Sequence, residues 1–141
     1  MTRIFFYHDA PDRVLAMATL IGKTYQQGKP LLVYAPDSEL AATLDRQLWI
    51  SPSTGFIPHV SAASPLVNET PVVITAELTS PKQTDRLFNL SFEVPPNFSR
   101  FASVIEVVGQ EAEDRQAGRV RVKFYKDRGY EVNFYNLSER H

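Results

Sequence analysis

The chain contains no cysteine, which excludes disulfides, thiolate metal centres and a cysteine nucleophile. It has almost no net charge either: 15 Lys and Arg stand against 16 Asp and Glu, leaving -1. No global positive field draws in nucleic acid, so attraction for an anionic partner must come from a local patch. No apolar run approaches the roughly 20 residues that cross a bilayer. The opening segment turns polar at His8 and Asp9, too soon for a signal-peptide core. A cytoplasmic protein without membrane contact is the expectation.

Signatures of catalysis are equally scarce. Glycine occurs six times in 141 residues, and none builds the glycine-flanked serine elbow of a hydrolase. The tripeptide Gly22-Lys23-Thr24 imitates the end of a phosphate-binding loop, but the position five residues before Gly22 is Met17. The tripeptide also falls inside a predicted helix rather than a strand–helix loop, so a helix surface is preferred. His8, His59 and His141 are far apart and lack metal-ligand spacing. Asp9 follows the first predicted strand as in a phosphoacceptor domain. The third strand ends in Ile74-Thr75 without the acceptor Asp, so Asp9 is read as a helix cap. No catalytic residue, metal or cofactor is expected.

What is present is a globular balance, 43% hydrophobic and 22% charged, in a length suited to one domain over residues 1–141. Residues 4 to 7 read as a buried strand. Val14, Met17, Ala18, Ile21 and Tyr25 follow at helical spacing until Gly28, and residues 31 to 35 form a second strand. Pro36-Asp37-Ser38-Glu39 opens a helix carrying Leu40, Leu44 and Leu48. Residues 50 to 70 show no period. Strands are predicted over 71–75, 87–94 and 131–137, and helices from Asn97 to 108 and over 113–128. Alternating strands and helices specify an α/β domain with a parallel sheet covered by helices.

Two regions invite binding. Trp49, Ile50, Phe56, Ile57, Pro58 and Val60 gather large apolar side chains at a helix end and a Pro/Ser/Gly loop. Such a cluster reads equally as an interface or as a loop tucking its aromatics into the core. On the last helix, at about 100° per residue, Ala117, Val120 and Phe124 form the expected core stripe. Arg115, Arg119, Lys123 and Lys126 share the opposite side, with Val122 beside them and Tyr125 at the edge. A solvated cationic face is one reading. The other is a ridge for a short acidic peptide ending in an apolar side chain and a carboxylate.

Leu44-Asp45-Arg46-Gln47-Leu48-Trp49, followed by Phe56-Ile57-Pro58-His59, resembles the LDxxLW…F(V/L)PH signature of the chi subunit family of bacterial DNA polymerase III. Residues 121 to 132 are similar to that family's closing basic helix, Gly-aromatic turn and strand. Phe92 and the segment from Phe101 through Glu106-Val107-Val108, read as a helix, also fit.

The resemblance implies a three-layer Rossmann-like α/β sandwich, a mostly parallel sheet flanked by helices without a phosphate-binding loop. It implies a non-catalytic clamp-loader adaptor that pairs with the psi subunit. The adaptor would grip the acidic, Phe-ending C-terminal tail of single-stranded DNA-binding protein, and in some bacteria an iron–sulfur helicase uses the psi-facing surface. By position, Trp49, Phe56, Ile57, Pro58 and His59 match the psi-facing surface. Arg115, Arg119, Val122, Lys123 and Lys126 match the tail-binding helix, Val122 standing where relatives often carry an aromatic.

Two other classes compete. One is a cryptic nucleotide- or small-molecule-binding domain or enzyme on the same fold. The other is a direct nucleic-acid binder, against which stand the balanced charge and an expected lack of surface aromatic rows.

Overall fold

The computed structural model describes residues 2–29, 31–50, 59–61, 72–76 and 85–137. Strand β1 (Arg3–Ala10) leads into α1 (Arg13–Gln26), and β2 (Leu31–Tyr34) leads into α2 (Ser38–Ile50). The short strands β3 (His59–Ser61), β4 (Val72–Thr75) and β5 (Arg86–Asn89) follow. A 3₁₀ turn at Phe98–Arg100 precedes β6 (Ser103–Gly109), α3 (Ala112–Asp127) and β7 (Glu131–Asn136). The strands form one sheet in the order β3-β4-β2-β5-β6-β1-β7. Every pairing is parallel.

Side-chain alternation sorts the core onto two faces. Val33, Phe88, Ile105 and Val107 pack with Met17, Ala18 and Ile21 of α1 and with Leu44 and Leu48 of α2. Ile4, Phe6, Leu87, Val104 and Val108 pack with Phe98, Phe101 and Tyr125 of α3. Helices α1 and α2 thus cover one face and α3 the other, the three-layer sandwich expected from the sequence.

Local signals explain most boundaries. The Asp37 carboxylate accepts from the N–H groups of Glu39 and Leu40, which fixes the start of α2. Gly28 ends α1 with a φ of 74°, a left-handed geometry that suits glycine.

Several expectations are corrected. The cap of α1 is Asp12, whose side chain accepts from Leu15 N at 3.1 Å; β1 runs on past Asp9, which has a φ of 58°. The segment expected as a helix from Asn97 to 108 is the 3₁₀ turn plus β6. Its Val-Ile-Glu-Val-Val run is buried on both faces, so it lacks alternation and can be mistaken for a helix. Strand β5 ends at Asn89 rather than 94, and β3 arises inside the segment that shows no period. Helix α3 is also turned relative to its apolar pattern. Val120 is 60% exposed, whereas Tyr125, placed at the edge from sequence, is fully buried. The core side of α3 is Asp114, Gly118, Arg121 and Tyr125.

Candidate docking cleft

What turns α3 is a buried carboxylate. Glu106 sits in the middle of β6, fully inaccessible, on the face toward α3. Arg121 Nε donates to its Oε1 at 3.0 Å and the Tyr125 hydroxyl to its Oε2 at 2.8 Å. Asn89 Nδ2 donates to both oxygens, at 2.9 and 3.0 Å. Burial pushes the Glu106 carboxyl up, and the Arg121 charge with the Asn89 and Tyr125 hydrogen bonds opposes that rise. Burial likewise pushes the Tyr125 phenol up, and the Glu106 charge adds to it. A guanidinium and a phenol therefore occupy the helix face that hydrophobicity alone would give to Val120.

With Arg121 and Tyr125 turned inward, Arg115, Arg119, Val122, Lys123 and Lys126 fall along the flank of α3 that faces β1 and β7. There they line a cleft of about 590 Å³, together with Phe6, His8, Asp9, Val108, Gly109, Gly118, Asp127 and Phe134. Phe6, Val108, Val122 and Phe134 supply its apolar surface, and the four cations are all on α3. Gly118 lets the helix lie close to the sheet: a Cβ there would meet Val108 Cγ2 at 2.8 Å.

The cations are not equivalent. Arg115 donates to Asp9 Oδ1 at 2.9 Å, and Asp9 Oδ2 lies 2.6 Å from His8 Nδ1. The His8 hydrogen bond holds the Asp9 carboxyl below its ordinary value, and the charge of Arg115 adds to the effect. Lys123 pairs with Asp127 at 2.8 Å, both largely exposed. The Lys126 ammonium lies 5.1 Å from the Phe134 ring centre, a cation–π contact, and forms no ion pair among the described residues. Arg119 is exposed and forms no ion pair among the described residues. Anion-binding capacity is therefore greatest at Arg119, midway along α3, and at Lys126 in its last turn.

All five ridge residues read from the sequence thus border one cleft. Sequence reasoning missed the opposite wall, Phe6 and Phe134, and the His8–Asp9 pair. The alternation of β7 could have placed Phe134 on the same face as Val132, but the neighbour relation of β1 and β7 is not written in either strand. Of the apolar cluster, Trp49 falls in the last turn of α2 and His59 opens β3. Phe56, Ile57 and Pro58 lie outside the described residues. Gly22, Lys23 and Thr24 are inside α1, where backbone N–H groups serve the helix and do not point at a phosphate. Among the described residues no group of three or more His, Asp or Glu could hold a metal ion.

The described residues thus define a parallel α/β domain with a cation-rimmed, apolar-floored cleft between α3 and the β1–β7 edge of the sheet. The chain belongs to the DNA polymerase III chi subunit (HolC) family, whose sequence profile matches residues 1–133. It is 33% identical to the DNA polymerase III subunit chi of Pseudomonas aeruginosa, over 97% of this chain and 98% of that protein. It is 28% identical to the Escherichia coli subunit chi, over 81% of this chain and 78% of that one. Among solved structures, the C-terminal domain of Saccharomyces cerevisiae Dbp5 superposes with a TM-score of 0.61 at 10% identity. That match covers 99% of this chain and 92% of the domain and shows the shared α/β fold. No described helix is long and apolar enough to cross a membrane.

Proposed function

We propose that this chain is a non-catalytic replication adaptor in the cytoplasm. It pairs with the psi subunit on one surface and holds the acidic C-terminal tail of single-stranded DNA-binding protein on another. In that role it ties the clamp loader to coated template. One observation carries it: the α3 cations rim a cleft whose floor is apolar. An acidic peptide ending in an aromatic residue has both complements, a carboxylate for Arg119 and Lys126 and a ring for the space between Val122 and Phe134. Phe134 supplies an aromatic wall where position 122 holds valine, so loss of the aromatic on α3 does not leave the cleft without one.

The psi-facing surface rests on the motif of Trp49, Phe56, Ile57, Pro58 and His59 and on family membership. An iron–sulfur helicase, where the organism has one, would use the same surface. Nucleic acid is reached in this reading mainly through the coating protein.

Peptide titration tests the tail site. A peptide with the sequence of the tail should bind more weakly as salt rises, because exposed ion pairs are screened. Arg119→Glu should weaken it at least tenfold without unfolding the chain; unchanged affinity would remove the assignment. Phe56→Ala should cost psi binding on the order of 2 kcal/mol. Co-purification with psi that survives this change counts against that surface.

A further inference from the structure

The face of the sheet that carries α1 is only partly covered. Helix α1 packs over β6 and β2, while on β1 and β7 the same face carries aromatic rings. Tyr7 and Tyr135 are cross-strand partners, their rings stacked at 4.9 Å and 22°. Phe5 stacks on Tyr135 from one step earlier, at 6.4 Å and 23°. These three rings make one row across β1 and β7, Tyr135 exposed and Phe5 and Tyr7 half-buried beside it. They come from segments more than a hundred residues apart, so no local pattern announces them.

The row continues into a groove of about 300 Å³ between the sheet and α1, bordered by Phe5, Tyr7, Lys23 and Arg86. Both charged groups on this groove are cations, Lys23 and Arg86, and α1 has no acidic residue along its length. Across the strand starts, Arg86, Ser103, Arg3 and Glu131 stand side by side in register. Glu131 is the carboxylate of that row, and it lies 3.9 Å from Arg3, whereas Lys23 and Arg86 form no ion pair among the described residues. Near-parallel aromatic planes beside a cationic rim are what flexible, unpaired bases and their phosphates require. A stack accepts any base face, and the cations follow the backbone.

We propose that this half-open face, built on Phe5, Tyr7 and Tyr135 with Lys23 and Arg86, binds single-stranded DNA directly. The site is on the side of the sheet away from the α3 cleft, so one domain carries a strand on one face and a peptide on the other. The proposal stands independently of the peptide reading.

Fluorescence anisotropy with a labelled oligothymidine of about 15 nucleotides tests it on the intact chain. Binding is expected at low salt, with a log–log salt slope of about −1.4 for two phosphates neutralised. Tyr135→Ala should weaken binding about fivefold or more while the slope stays the same. Lys23→Glu with Arg86→Glu should weaken it at least tenfold and flatten the slope. Arg119→Glu should leave it unchanged, and Lys23→Glu should leave tail-peptide affinity unchanged. Circular dichroism of each variant confirms the fold. No binding at low salt overturns the proposal, as does binding that ignores Tyr135 and Lys23 or tracks Arg119 instead.

Discussion

The guanidinium of Arg115 donates to the Asp9 carboxylate at 2.9 Å, tying the first turns of α3 to the end of β1. Asp9 thus occupies, from within the protein, a cation that a bound acidic peptide would otherwise use. Asn at position 9 keeps a side chain tolerant of the left-handed backbone there and removes the charge. Asp9→Asn is expected to raise tail-peptide affinity about twofold to fivefold, the scale of an exposed ion pair. Isothermal titration at fixed salt measures the change, and a loss of affinity would show that Asp9 supports binding.

The same carboxyl gives stability a pH dependence. Asp9 binds its proton more weakly in the fold than at its ordinary value of 3.8. Its ionised form therefore stabilises the fold above that pH, and the contribution is lost as pH falls through the lower folded value. The stability difference between the parent chain and Asp9→Asn should narrow on acidification below 3.8. Urea midpoints collected across that range check this.

Arg121 and Glu106 are a buried pair, 1% and 0% exposed at the side chain. Removing one partner leaves the other uncompensated. Arg121→Met is expected to cost about 3–5 kcal/mol. Adding Glu106→Gln should recover much of that loss, because no buried charge is then left unpaired and the amide oxygen still accepts from the Tyr125 hydroxyl. Denaturant unfolding of the two single variants and the double variant gives the coupling. Additive effects would mean that the two groups do not depend on each other.

At Gly118 two effects oppose. Alanine would favour the helix by about 1 kcal/mol, but its Cβ would meet Val108 Cγ2 at 2.8 Å. Overpacking of this kind costs about 1–3 kcal/mol, so Gly118→Ala should lower the melting temperature. It should also weaken the tail peptide, since α3 must back away from the cleft floor.

Much of this was legible in the sequence. The β-branched runs and helical spacings foretold β1, α1, β2 and α2, and the closing Glu131–Asn136 strand needed only its alternation. What failed did so for physical reasons. A central parallel strand such as β6 loses its alternation, and α3 obeys Glu106, a residue in another strand, rather than its own apolar stripe. The ridge was still found, because Arg115, Arg119, Lys123 and Lys126 lie beside the true core face and outside it. The aromatic row was invisible, since Phe5, Tyr7 and Tyr135 meet only once β1 and β7 pair.

Titration of the tail peptide against the parent chain and Arg119→Glu, at low and high salt, bears most directly on the docking role. Saturable binding that falls with salt and drops at least tenfold with the single reversal is the expected result. Equal affinity in both proteins, or no binding at low salt, would contradict it.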